Sequence, residues 1–438
     1  MKQFFCSRWR SVRLASLFHE NTAKNEGFLS SNALQFRYGS IVPKKKFDLT
    51  SDLIETYKKY TLIQPGDIMI NGLNLNYDFV TQRVAMVPSS GIITSAYICL
   101  RPRDNANFRF YTYYLKALDS IKVFNGLGTG IRLTLSYDSI KNMVLPIPPH
   151  TEQDQIVRYL DWQVSKINRL IAAKRKQIAL LHEQHKRRIS EAVLHGNDDG
   201  CCQKDSGVEW IGMIPEHWSV IRCKYVFTER DERSIAGEEE HLSMSQKYGL
   251  VPDSKLDERR MLSETYVGGK ICYKNDLVLN RLKAHLGVFA LSPQKGVISP
   301  DYTVLVPNAE RILPTYGEAV LKSDLCRREL RIRVRGIIEG FWRLYTDDFN
   351  TIVIPLPPLK EQEQIMKHLS ALNNKFTALK QRLEQEINIL HELRTRLISD
   401  VVTGQIDVRG IQVPDDEYIN NEITEEEFEE ESENNEEE

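Results

Sequence analysis

A chain of 438 residues, 41% apolar and 27% charged, has room for two or three domains that each bury a core, and its composition is not that of a disordered or fibrous protein. Its formal net charge of −2 conceals an asymmetry, because Asp415–Glu438 carries 14 acidic and no basic residues, leaving 46 acids against 58 bases, or +12, in residues 1–414. A basic body of this kind suits a polyanion partner; a basic surface kept for solubility is the alternative.

Seven cysteines include no Cys-x-x-Cys pair and no His/Cys spacing suited to zinc, so reduced thiols and no metal are expected. The N-terminal apolar run Phe4-Phe5-Cys6 is too short for a signal peptide, even with Arg8, Arg10 and Arg13 nearby. No uncharged apolar stretch approaches the length of a membrane span. The expectation is a cytoplasmic protein.

Residues 1–149 read as mixed α/β. Ile68-Met69-Ile70 after Pro65-Gly66-Asp67 is a turn followed by a strand, and Ile92–Leu100, between Gly91 and Pro102, predicts another strand. Phe108–Leu118 predicts a helix with Tyr111, Tyr114, Leu115 and Leu118 on one face. That stripe could stack on bases, but core packing is the favoured reading. Gly126-Leu127-Gly128-Thr129-Gly130 precedes Arg132 without the Lys-Ser or Lys-Thr of a phosphate-binding loop, so it reads as a loop able to approach nucleic acid closely.

Residues 152–194 predict a long helix, in which Ile156, Leu160, Ile167, Leu170, Ile178 and Leu181 recur at spacings close to three and four. At 1.5 Å per residue it would run about 65 Å. Residues 196–204 read as a linker. In the following region Val278–Leu286 and Val297–Val306 predict strands, and Arg327, Arg328, Arg331, Arg333 and Arg335 fall within nine residues. From Arg331 they alternate with apolar residues, which on a strand would place them on one face for phosphate or base contact; a solvated edge strand is the other reading. A second long helix follows, carrying Ile365, Leu369, Leu372, Phe376, Leu379, Leu383, Ile387, Leu390, Leu393 and Leu397. After Val413 the tail is acidic and of low complexity, and disorder is expected there.

The halves are one text written twice. Pro146–Leu160 and Pro355–Leu369 agree at 8 of 15 positions at an offset of 209, and Trp9/Trp218, Asp67/Asp276 and Asn71/Asn280 obey the same offset. The helical segments are alike, whereas the material between them has diverged. The two helices would bury their seams most simply by packing antiparallel on each other about a pseudo-twofold axis, the alternative being partners in another chain.

No chemistry is legible. There is no Asn-Pro-Pro-aromatic motif, no GxxxxGK[ST] and no nucleophile elbow, and Pro252-Asp253-Ser254-Lys255 reads as a chance likeness to a nuclease core.

The doubled Pro-x-Pro-Pro-x-x-Glu-Gln-x-x-Ile before each long helix resembles the specificity subunit of type I restriction-modification systems. So does Asp205-Ser206-Gly207-Val208-Glu209-Trp210-Ile211-Gly212 with Ile214, Pro215 and Trp218, and so does Thr403-Gly404-Gln405-Ile406-Asp407-Val408-Arg409. The resemblance implies an α+β fold: two globular mixed α/β target-recognition domains joined by two long antiparallel coiled-coil helices, with a pseudo-twofold internal repeat. The implied divisions are recognition domains at 1–149 and 205–354, helices at 150–195 and 355–410, and a tail at 411–438. It further implies double-stranded DNA as ligand, each domain reading one half of a bipartite asymmetric site, and two DNA adenine methyltransferase subunits docked on the helices. Those subunits would recruit restriction and translocase subunits, and S-adenosylmethionine, ATP and Mg would sit in the partners. Candidate DNA contacts are Lys44, Lys45, Lys46, Arg132, the arginines of 327–335 and Arg343. One departure stands out: the N-terminus carries no copy of the Asp-Ser-Gly-x-Glu-Trp-Ile-Gly segment and keeps only Trp9. Outside this class, the alternatives are a coiled-coil scaffold without DNA binding and a nuclease or methyltransferase with an unfamiliar site.

Overall fold

The computed structural model of the chain describes residues 8–37, 39–45, 49–75, 82–103, 106–131, 133–197, 200–245, 248–255, 266–336 and 342–414. These fall into two compact units: one holds the described residues of 1–174 and of 385–414, the other those of 175–384.

Each unit repeats the other's topology. In the first, a four-stranded antiparallel sheet is ordered Phe18–Glu20, Ile98–Pro102, Ile68–Ile70, Val84–Met86; in the second the order is Phe227–Arg230, Tyr302–Pro307, Leu277–Asn280, Phe289–Leu291. Each sheet has the same companions. Leu34–Arg37 pairs with Ser40–Pro43 and Thr61–Ile63 with Gly91–Ile93, as Leu242–Ser245 pairs with Gly249–Pro252 and Lys270–Cys272 with Gly296–Ile298. A further two-stranded ribbon joins Arg10–Arg13 to Val144–Ile147, and Ser219–Arg222 to Val353–Leu356. The strands that launch the long helices are thereby stitched to the strand that precedes their own four-stranded sheet.

The tight turn before Ile68–Ile70 exists because Gly66 takes a left-handed φ of 90°, and the three residues that follow are wholly buried. The sheet is covered by the helix Phe108–Ser120, capped by the Asn107 side chain, which accepts from the Phe110 amide. Tyr111, Tyr114, Leu115 and Leu118 all enter the core, so the aromatic stripe packs rather than stacking on bases. The Tyr111 hydroxyl donates to the Pro146 carbonyl at 2.9 Å, and Tyr316 of the second unit donates to the Pro355 carbonyl at 3.3 Å. Burial pushes both phenol pKa values up.

Three strand expectations change. Ile92–Leu100 is two strands, Gly91–Ile93 and Ile98–Pro102, which pair in different sheets across a turn at 94–97. Val278–Leu286 leaves the sheet at Asn280, whose side chain accepts from the Leu282 amide and starts a 3-10 turn over Arg281–Leu286. Val297–Val306 is broken by a turn at 299–301 into Gly296–Ile298 and Tyr302–Pro307.

The long helices run His150–His195 and Leu359–Val402. They pack antiparallel: in the first unit Asn168 meets Arg394 and Lys174 meets Glu386, and in the second His182 meets Phe376 and His185 meets Asn373. Ile156, Leu160, Ile167, Ile365, Leu369 and Ile387 are buried along this seam, while Ile178, Leu181, Leu372, Phe376, Leu383, Leu390 and Leu397 are half-buried. Leu170 and Leu379 do not belong to it, being 52% and 50% exposed, and Leu393 is exposed as well. Ile171 takes the place expected of Leu170, because the buried stripe steps 160, 167, 171. Beyond it the seam turns polar: the Phe376 ring lies between His185, stacked at 4.1 Å, and His182, edge-on at 4.7 Å. Desolvation, then the Lys380 and Lys186 charges, lower the His182 pKa, which favours its neutral ring.

In the first unit residues 403–411 pack where residues 203–218 do in the second. Helix Leu359–Val402 ends in a turn with Gly404 at φ 74°, and Val408 then enters the core that holds Trp9, Leu160 and Val401. The Gln155 side chain donates to the carbonyls of Val408 and Ile411 at 3.0 and 2.7 Å, and Arg8 pairs with Asp407 at 3.6 Å. Residues 203–218 do this work in the second unit, where Ile211, Ile214 and Trp218 are buried. Val408→Asp should therefore cost about 2–4 kcal/mol, the cost of an unpaired buried charge. Hydrogen exchange should show protection lost around Trp9 and residues 150–160 but kept over 205–354; equal loss in both regions would contradict this closure.

Candidate nucleic-acid interface

The arginine-rich segment is a helix. Asp324–Arg333 is capped by Ser323, whose hydroxyl accepts from the Cys326 amide, and Cys326 and Leu330 face the core. Arginine is a good helix former, and a Ser-Asp start outweighs the short apolar alternation that suggested a strand. The arginines accordingly scatter around a cylinder. Arg327 packs along Gly287 and pairs with Asp324 at 3.4 Å. Arg333 donates to Glu329 at 2.8 Å and to Thr351 at 2.6 Å, and Arg335 pairs with Asp348. Arg328 and Arg331 are exposed and enter no ion pair among the described residues. Arg343 lies 3.7 Å from Asp301, and its backbone is bridged to that of Arg335. Lys44 is half-buried and Lys45 exposed after the strand Ser40–Pro43; Lys46 and Arg132 lie outside the described residues. The residues Pro252–Lys255 form no nuclease core: Asp253 bonds His241 at 2.5 Å, and Lys255 is exposed.

Two features go further than the sequence reading. The first is Arg83, only 1% exposed, whose guanidinium donates to the carbonyls of Asn71 and Leu73 at 3.1 and 2.8 Å. Its own amide donates to Asp119 at 2.6 Å. These bonds tie the buried guanidinium to the loop 71–75 that follows the strand Ile68–Ile70, although its Nε is left without an acceptor among the described residues.

The second is a hairpin pinned to that loop. Leu135 donates to the Gly72 carbonyl at 2.8 Å, Leu75 to Leu133 at 3.1 Å, and the Asn125 amide to Leu75 at 2.6 Å. A Cβ on Gly72 or Gly128 would fall 2.8 or 2.6 Å from neighbouring atoms, so both glycines are needed for this approach. Thr129 and Thr134 close the hairpin by exchanging backbone bonds of 3.1 and 2.9 Å. In the second unit Leu344 donates to the Arg281 carbonyl at 3.1 Å, and Arg335 and Arg343 exchange bonds of 2.9 and 2.8 Å. Leu135/Leu344, Gly72/Arg281 and Thr134/Arg343 all stand 209 apart, so the hairpins are equivalent. Besides that offset, the glycine-rich run Gly126–Gly130 read as a loop marked the first of them in the sequence. Their lengths differ: four residues separate Thr129 from Thr134, and seven separate Arg335 from Arg343.

The family model described as type I restriction modification DNA specificity domain matches twice, over residues 7–180 and 224–388. The MjaVIII type I restriction enzyme specificity subunit of Methanocaldococcus jannaschii is 23% identical over 420 residues, covering 92% of this chain and 94% of its own length. The EcoKI specificity subunit of Escherichia coli K12 is 22% identical, covering 86% and 84%. A solved chain from work on complex assembly and conformational transition of the type I restriction-modification system shares the fold, with a TM-score of 0.63 at 16% identity over 92% of this chain and 99% of that one. With two diverged units on one repeated framework and a specificity domain matched in each half, the chain belongs to the specificity subunits of type I restriction-modification systems.

Proposed function

We propose that each unit reads one half of a bipartite, asymmetric duplex site, and that the long helices set the spacing between the halves. The observation that supports this reading is the repeat itself. Sheet order and helix launch are the same in both units, while the hairpins that cross their loop ends differ in length and residues. A common frame with unlike tips is what two different half-sites require. The exposed Arg328 and Arg331 are assigned to phosphates, with Lys44 and Lys45 as their counterparts in the first unit. The chain would act in the cytoplasm without a cofactor of its own, leaving S-adenosylmethionine, ATP and Mg to its partners. No helix among the described residues is long and apolar enough to cross a membrane.

The partners are proposed to be two adenine methyltransferase subunits, each bringing restriction and translocase subunits. Leu170 and Ile389 stand at one level of the helix pair in the first unit, 52% and 62% exposed. Leu180 and Leu379 do so in the second, each 50% exposed. Leu170/Leu379 and Leu180/Ile389 are both 209 apart, so each unit offers an equivalent apolar pair. Two equal patches suit two copies of one partner.

Co-expression with its methyltransferase, followed by mapping of methylated adenines, tests the reading. A split motif with two unlike halves and a fixed spacer is expected; no motif from a complex that does assemble would favour the scaffold reading. Charge reversal at Arg328 and Arg331 should lower DNA affinity and flatten the dependence of log K on log salt by about 0.9 per lost phosphate contact. An unchanged slope would remove these two from the interface. Native mass spectrometry checks the docking patches: Leu170→Asp with Ile389→Asp should cost one methyltransferase copy, and Leu180→Asp with Leu379→Asp the other. Retention of both copies in each variant would place docking elsewhere.

A further inference from the structure

The segment that leaves the strand Ile68–Ile70 is built a second time at the end of the strand Leu277–Asn280, residues 71–75 and 280–284 standing 209 apart. Its first residue sets the same turn in both: the Asn71 side chain accepts from the Leu73 amide at 3.2 Å, and the Asn280 side chain from the Leu282 amide at 3.1 Å. The second gives its carbonyl to the crossing hairpin, Gly72 to Leu135 at 2.8 Å and Arg281 to Leu344 at 3.1 Å. The fifth, Leu75 or Ala284, is wholly buried. The fourth is exposed, and it is Asn74 in one unit and Lys283 in the other. Its carbonyl meets a donor just ahead of the edge strand, the Arg83 guanidinium at 3.5 Å or the Val288 amide at 3.4 Å. Asn74 takes φ 51°, a left-handed conformation that asparagine tolerates better than most side chains. Neither the Asn74 nor the Lys283 side chain has a hydrogen bond or ion pair among the described residues. One anchored frame thus presents one uncommitted polar head in each unit, and the heads differ in kind.

We propose, resting on the DNA reading above, that positions 74 and 283 are equivalent specificity-determining residues, Asn74 reading an adenine and Lys283 a guanine in the major groove. Adenine shows an N7 acceptor beside an N6 donor there, and a carboxamide meets the two together through its Nδ2 and Oδ1. Guanine shows two acceptors, N7 and O6, which the donors of an ammonium group meet. A reader needs a backbone that is fixed and polar atoms that are not already spent. Asn71 and Asn280 fail the second condition, since both are committed to the turn; they set the place from which their neighbours read. The turn that carries Lys283 also packs on the helix Asp324–Arg333, whose exposed Arg328 and Arg331 suit the phosphates beside the base. Frame alike and head unlike is how readers of different half-sites should differ.

The test uses the full chain with its methyltransferase, and methylation motifs are mapped for wild type, Asn74→Asp and Lys283→Met. Aspartate keeps the left-handed turn but loses the donor to N7, and methionine keeps the length of lysine without its charge. Asn74→Asp should relax one adenine position in one half of the motif, with about tenfold lost discrimination, and leave the other half intact. Lys283→Met should relax one guanine position in the other half. On a duplex with 7-deazaadenine at the first position, wild type should bind about tenfold more weakly, and Asn74→Asp should not distinguish it from the normal duplex. A duplex with 7-deazaguanine at the second position should separate wild type from Lys283→Met in the same way. A motif unchanged in either variant, changed at another base, or changed by both variants in one half overturns the inference while leaving the DNA reading in place. No motif from an assembled wild-type complex overturns both. Because both side chains are exposed, the thermal unfolding of the variants should match wild type, separating lost reading from lost fold.

Discussion

The junction between strand and long helix is the constraint on which both units depend. Each residue before a proline is pushed toward an extended conformation, so Ile147-Pro148-Pro149 and Leu356-Pro357-Pro358 leave the sheet extended and turn abruptly into helix. The turn is then locked from inside. Gln153, buried, donates its side-chain amide to the Pro148 carbonyl at 2.8 Å, and Gln362, buried, donates to Pro357 and Arg311 at 2.9 Å while accepting from the Leu313 amide. Beside them Glu152 accepts from Arg8 and Trp9, and Glu361 accepts from His217. The Pro-Pro-x-x-Glu-Gln text therefore encodes the angle at which a recognition domain meets its helix. The Gln362 amide is met at both ends, whereas the Gln153 Oε1 is buried without a partner among the described residues, so the lock is fuller in the second unit.

Away from the junction the two copies keep geometry while exchanging the residues that supply it. Asp67, buried beneath the first sheet, takes two bonds from Arg101 at 2.9 and 2.7 Å. Asp276 stands in its place and takes 3.0 and 3.4 Å bonds from Arg230. Yet Arg101 lies on Ile98–Pro102, whereas Arg230 lies on Phe227–Arg230, the counterpart of the neighbouring strand. A buried carboxylate without a cation would cost several kcal/mol, so the charge had to be retained. Which strand carries the cation is free, because adjacent strands stand within one side chain's reach. This separates shared framework from surface: paired buried groups are constrained to function alike, and exposed residues are not.

Much of this was legible in the sequence because its signals are periodic or doubled. The repeat, the long helices and the helix Phe108–Ser120 follow from spacing alone, and proline and glycine mark where they begin and end. What escaped was decided by contacts without period. The Arg331–Arg335 alternation lost to a Ser323 cap, and the Ile92–Leu100 run was divided because its two ends pair with different partners. The helix seam was misjudged at Leu170 and Leu379 because polar residues hold its middle: Lys174, His182 and His185 do there what aliphatic side chains do nearer the ends. Arg83 has no local signature, and the Gly126–Gly130 run read only as a loop; both are tied to the loop 71–75 by backbone carbonyls that no pattern marks.

The two units differ in connectivity. Among the described residues the second unit is drawn from one continuous stretch, 175–384, and its described part can be completed as soon as that stretch exists. The first needs residues from both ends of the chain, since Trp9, Glu152, Val401 and Val408 share its environment. Closing so long a loop adds little to the equilibrium cost, about 0.6 kcal/mol for each doubling of length, but it delays the contacts that reward it. The first unit must therefore hold an open edge, at the surface later covered by residues 403–411, until the last helix has been made. The buried seam of that helix is what returns the segment to its place, so the same helices that join the two readers also finish one of them.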